Sequence, residues 1–256
     1  FALAWGLLIK NLIYFLLLSL YSFLLLKSKK ISFLFDKSYL TKLVKSIGFP
    51  FLSKIVMTIA SNSQNFIIGI TLTAATTTIF DITKKFPIVI IMVINIIGVS
   101  TYTSFSLFYS ELKNNTTHAY TKYYFSFIRI ILLILLSFIF IIGKDLIDVW
   151  VGLDKFGGDF LLAIICFFAL LDQLRGSLSQ QYYTMGKYNF TSISDALYAI
   201  IFLLFIYLLI PIFKLNGVVF AGIIANIIYF IFCFIYEKHN NMSLIFNLIN
   251  LSFFKD

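Results

Sequence analysis

Charge is scarce in this chain. Charged residues fill 12% of its 256 positions, where soluble domains carry about a quarter, and mean hydropathy is +0.98. So few charges cannot cover the surface of a water-soluble protein this long, so lipid is the solvent for much of it. Cysteine and histidine are sparse as well. Cys166 and Cys233 each lie deep in an apolar run, with no spacing that suggests a disulfide framework or a zinc site. His118 and His239 have no ligand partner one helical turn away and read as plain surface histidines. No phosphate-binding glycine loop, nucleophile elbow or paired acidic motif is present. No catalytic residue, bound metal, cofactor or nucleic-acid partner is therefore expected. The basic start and small-residue cleavage site of a secretory signal are missing too. The chain opens at Phe1 directly into an apolar stretch, as a segment cut from a longer protein would.

What the chain does have is long apolar runs. Crossing a hydrocarbon core of about 30 Å takes about 20 helical residues. Runs of that order lie at Leu3–Leu26, Ile47–Leu72, Phe86–Phe108, Phe125–Ile142, Phe160–Leu178, Ile193–Ile212 and Val218–Ile235. The second is the least regular, because Lys54 and the polar stretch from Ser61 to Asn65 interrupt it. The runs are apolar all round, with neither strand alternation nor a single greasy face. In hydrocarbon only a helix satisfies its own backbone, so the expected fold is an all-α integral membrane protein of about seven transmembrane helices.

Seven spans put the termini on opposite sides, and lysine placement orients them. Lys27, Lys29, Lys30, Lys37, Lys42, Lys45, Lys113, Lys122, Lys187, Lys238 and Lys255 fall on one side, eleven against the five of Lys84, Lys85, Lys144, Lys155 and Lys214. The richer side is read as cytoplasmic, with Phe1 outside and Asp256 inside. Residues 27–46 mix lysine with Ile31, Phe33, Leu34 and Phe35, the composition of an amphipathic linker on anionic lipid or of a solvated basic loop. The tail, residues 237–256, is too short to span and is expected to lie at the cytoplasmic interface.

The ionisable residues inside the runs are the sharpest feature. A charge in the membrane interior is costly and faces a cavity or a partner. Lys54, Arg129, Arg175, Asp172 and Asp195 all fall in the same, cytoplasmic half of the membrane. Either they surround a water-filled cavity for an anionic group, or Asp172 and Arg175 pair at i, i+3 while Lys54 and Arg129 reach to the interface. Asn62, Gln64 and Asn65 line that same cavity or tie neighbouring helices together. Gly217, Ala221 and Ala225, four residues apart, allow a close neighbour on the last span.

The order of shorter elements carries a resemblance. Gly48-Phe49-Pro50-Phe51 opens a span that continues through Ser61-Asn62-Ser63-Gln64-Asn65 to Gly69. Phe80-Asp81-Ile82-Thr83-Lys84-Lys85 precedes a span that ends at Tyr109-Ser110-Glu111-Leu112. Trp150-Val151-Gly152 comes before the next but one, Met185-Gly186-Lys187 follows it, and Leu215-Asn216-Gly217 leads into the last. In this order the chain resembles the C-terminal half of Wzx-type polysaccharide flippases, relatives of the MATE-like exporters and the lipid II flippase. The resemblance implies that residues 1–26 are the last helix of an N-terminal bundle, that 47–236 form a C-terminal six-helix bundle, and that the N-terminal half of the same protein is a partner. It also implies a non-enzymatic transporter in a bacterial cytoplasmic (inner) membrane. Such a protein moves an undecaprenyl-diphosphate-linked oligosaccharide between leaflets by alternating access, surrounded by membrane lipid. Lys54, Arg175 and Arg129 would then be cavity cations, with Asn62, Gln64, Asp172 and Asp195 as polar or coupling groups. The rival readings are a multidrug exporter, which would favour buried carboxylates, and a membrane polymerase or ligase, which would need a large catalytic external loop.

Overall fold

A computed structural model describes residues 2–28, 37–111, 115–240, 242 and 244–249. Among the described residues every regular element is helical. They are α1 (Ala2–Ser28), α2 (Lys37–Thr71), α3 (Ala74–Thr83), α4 (Lys85–Glu111), α5 (Asn115–Val151), α6 (Asp159–Thr184), α7 (Tyr188–Phe213), α8 (Leu215–His239) and α9 (Leu244–Ile249), with a 3-10 turn at Leu153–Lys155. The chain is an all-α membrane protein, and each of the seven apolar runs falls in a helix to within a residue.

Among the described residues, four helices are long and apolar enough to cross a membrane: α5 from Thr121, α6, α7 and α8. They become five if α3 and α4, which meet at a bend of 48°, form one broken span. In α1 the apolar helix Leu12–Leu25 is shorter than a span, and α2 is diluted by its polar middle. The basic linker differs from expectation in part. Residues 29–36 lie outside the described residues, but from Lys37 onward the backbone is already α2, continuous with the run that begins at Ile47. At 37 residues α5 is about 55 Å long, well beyond a hydrocarbon core, so its polar ends reach past the lipid tails.

Two compact units divide the chain, Phe1–Val44 and Lys45–Asp256. The second holds every candidate site residue. Its tightest pair is the hairpin of α7 and α8, joined through Lys214, whose φ of 54° is the one positive value among the described non-glycine residues. Gly217 makes the close approach possible: a Cβ there would overlap the carbonyl of Leu209 on α7. Ala221 and Ala225 follow along the same face at 0% exposure. The small-residue stripe therefore does what its spacing suggests.

Within the tail, the described helix α9 is docked on the core. Leu244, Ile245 and Leu248 of α9 are buried in the core, against α5, α6 and α8. Glu237 sits at one end, where its carboxylate accepts from the Tyr182 hydroxyl at 2.6 Å and from the Ile245 amide at 2.9 Å. Arg129 sits at the other, where its guanidinium donates to the carbonyl of Leu248 at 2.8 Å. An anion at the amide end and a cation at the carbonyl end both match the helix dipole.

The lysine-based orientation can be tested at residues whose exposure is now visible. Asp154 and Asn189 are exposed, whereas a side chain at Gly157 would press on Leu161. With Cys166 and Cys233 replaced, Asp154→Cys should react with an impermeant thiol reagent added outside intact cells. Asn189→Cys should react only after permeabilisation. The reverse pattern inverts the orientation.

Candidate functional site

Three of the intramembrane charges meet at one point, where α6 faces α7. One turn separates Asp172 from Arg175 on α6, and the Arg175 Nε and Nη2 groups donate to Asp172 Oδ1 at 3.1 and 2.9 Å. Its Nη1 group donates to Asp195 Oδ1 on α7 at 3.4 Å. Each carboxylate has a second donor: Tyr198 to Asp172 at 3.1 Å, and Ser179 to Asp195 Oδ2 at 3.1 Å. The guanidinium also lies over the Tyr198 ring, 4.0 Å from its centroid, with Tyr229 of α8 at 5.7 Å. Flat aromatic faces and two carboxylates are what a buried planar cation needs to replace water.

Two acids and one base leave this cluster short of one positive charge. Lys54 of α2 lies within electrostatic reach of Asp195. Its position differs from that of Arg175, however. Lys54 is exposed, while the Arg175 side chain is 9% exposed and committed to two carboxylates.

Beside the cluster lies a cavity of about 130 Å³. Asp172, whose side chain is 33% exposed, lines it, as do Gln64 of α2, Lys84 at the α3–α4 break and the rings of Phe80, Phe168 and Phe202. Asn65, one residue on from Gln64, does something different. It donates to Asp81 at 3.0 Å and accepts from Lys84 at 3.1 Å, while Lys84 and Asp81 pair at 2.7 Å. Asn62 is exposed on a shallow groove of α2 with Thr58, Ile59, Ser63 and Phe66. Arg129 is brought to the carbonyl of Leu248.

Lys84, Asp81 and Glu237 join these networks without a clear signal in the sequence. Lys84 counts among the five lysines of the poorer side, and only its i, i+3 spacing from Asp81, just before Pro87, marks a paired, broken helix. Glu237 reads as a solvated residue beside Lys238 until α9 closes over it.

The family of polysaccharide biosynthesis proteins matches residues 2–154, more than half of the chain. The chain belongs to that family. The matched part runs from α1 to the 3-10 turn and holds Lys54, Gln64 and Lys84, while Arg175 and Asp195 stand on helices that follow it. A family defined by polysaccharide biosynthesis, on an all-α membrane frame, ties the chain to a step of glycan assembly at the membrane. No curated protein and no solved structure matches the chain.

Proposed function

We propose that this protein carries a lipid-linked oligosaccharide, of the undecaprenyl-diphosphate class, from the cytoplasmic to the external leaflet by alternating access, without catalysing a covalent step. The observation that carries this reading is a hydrogen-bonded polar cluster and cavity held inside apolar spans of a polysaccharide biosynthesis protein. Membrane-embedded ionic groups are expensive and are retained where a polar cargo or ion must pass. A sugar diphosphate cannot cross hydrocarbon alone, and fixed cations beside a polar path lower its barrier. Lys54, exposed and within electrostatic reach of Asp195, is the cation an entering anion meets first. Arg129 and Arg175 act behind it, and Asn62 and Gln64 offer amides to sugar hydroxyls.

A lysine 4 Å from a phosphoryl oxygen is worth about 4 kcal/mol at an effective dielectric near 20. Lys54→Gln should therefore lower glycan export at least tenfold in cells whose own flippase is deleted, at matched membrane levels of the protein. Lys54→Arg should keep most of the activity. Equal export by Lys54→Gln and the parent would remove Lys54 from the path. The second carboxylate of the cluster favours the rival exporter reading, and it makes a distinct forecast: cells expressing the protein would then extrude cationic dyes and leave glycan export unrestored.

A further inference from the structure

The short helix α3 stands between two breaks, at Leu72–Thr73 and at Lys84, and its form suggests a moving part. We propose that α3 is a lid, pivoting at the Lys84 break, that controls access of water and small solutes to the cavity lined by Gln64, Ala169 and Asp172.

Its threonine hydroxyls are satisfied from within. Thr73 and Thr76 form a reciprocal capping box, and the hydroxyls of Thr77, Thr78 and Thr83 bond back to carbonyls of the preceding turn. A helix so capped can move as a body without leaving its threonine hydroxyls or its N-terminal amides unpaired. Only Phe80 and Thr83 among its residues are buried. Phe80 forms part of the cavity wall, so displacing α3 opens that wall.

The ends of α3 are held unequally. Near its start, Thr73, Ala74 and Ala75 are exposed. Its last residue is pinned, since the Thr83 hydroxyl accepts from the Gly157 amide at 2.9 Å, where a Cβ on residue 157 would crowd it at 3.0 Å. That contact is the pivot. The bend of 48° has a cause as well: Pro87, in the first turn of α4, cannot donate to the carbonyl of Thr83 four residues back. With that i to i−4 bond missing, the junction keeps a softer angle than a continuous helix would.

One latch ties α3 to α2, the triad Asn65–Asp81–Lys84. With the Asp81 side chain 41% exposed, this is a weak ion pair, suited to opening and closing. Behind the lid lies Asp172, the most exposed member of the Arg175 cluster, so the state of α3 sets whether water reaches that cluster through this cavity.

The test needs no transport assay. In a background lacking Cys166 and Cys233, Ala169→Cys places a thiol on the cavity wall, where Ala169 is 7% exposed. The full chain, purified in detergent, is treated with a small charged methanethiosulfonate. Unlatching by Asn65→Leu, or by the near-isosteric Asp81→Asn, should speed modification of Cys at 169 at least tenfold, while Asp154→Cys in the same backgrounds reacts at its parent rate. Rates at 169 that stay within twofold in both latch variants would overturn the lid. An equal acceleration at 154 would overturn it too, because that is general loosening. Should Asn65→Leu not yield a monodisperse protein, Asp81→Asn alone decides. The outcome is independent of whether the cargo is a lipid-linked glycan.

Discussion

Arg175→Ala is expected to destabilise the protein by about 3–5 kcal/mol, the range seen when one partner of a buried ion pair is removed. The size follows from what is left behind. Asp172 would keep the Tyr198 hydroxyl and Asp195 the Ser179 hydroxyl. Neither would keep its guanidinium, at a place where the Asp195 side chain is 4% exposed. The space between Tyr198 and Tyr229 would also empty. Thermal unfolding of the detergent-solubilised protein measures the loss. Arg175→Lys should fall between alanine and the parent, because an ammonium retains the charge without the planar fork that reaches both carboxylates. Adding Asp172→Asn and Asp195→Asn to Arg175→Met should recover much of the stability, since neutral amides need no counter-ion. An Arg175→Ala protein that melts like the parent would show that the cluster does not hold the fold. This expectation also bears on transport: lost export in Arg175→Ala reports on folding first, which is why Lys54 is the cleaner probe of cargo contact.

The second large effect belongs to a residue without a side chain. Gly217→Ala should cost about 3 kcal/mol, the upper part of the range for overpacking, because the obstacle is backbone and cannot rotate away. A Cβ at 217 would overlap the carbonyl of Leu209 and crowd the amide of Ile210, forcing α7 and α8 apart along the stripe continued by Ala221 and Ala225. Gly176→Ala is the control. That glycine also lies within a spanning helix, but a Cβ there meets nothing within 4 Å. It should be neutral or stabilising by up to about 1 kcal/mol, from the better helix propensity of alanine. Melting temperatures of the two variants in the same detergent make the comparison, and similar losses in both would mean that the α7–α8 contact is not tight.

How far the sequence could be read follows from the same residues. Runs of apolar side chains disclose helices because hydrocarbon allows little else, so the all-α membrane class and the position of each run were legible. Gly217, Ala221 and Ala225 announced a contact because small residues at that spacing have few other uses. The runs also suggest a depth for Lys54, Asp172, Arg175, Arg129 and Asp195, all in one half of the membrane. Rotation about each helix axis was not legible. Charges at the same depth can face one another or opposite ways, and only packing brought Asp172, Arg175 and Asp195 together while turning Arg129 towards Leu248. Lys84 is hidden for a different reason: its partners Asp81 and Asn65 meet it across a helix break that charge counting along the chain does not register. Glu237 needed a long-range contact to explain it, since its amide partner lies eight residues on, at Ile245.

The docked position of α9 matters to anyone attaching a reporter to this protein. A fluorescent domain or affinity handle joined directly after His239 would displace α9. Its loss would take the Ile245 amide from Glu237 and the Leu248 carbonyl from Arg129, and would uncover the seats of Leu244 and Leu248. The same fusion placed beyond Ile249 leaves those contacts intact, so the choice of junction decides whether the label reports on the native protein or on a damaged one.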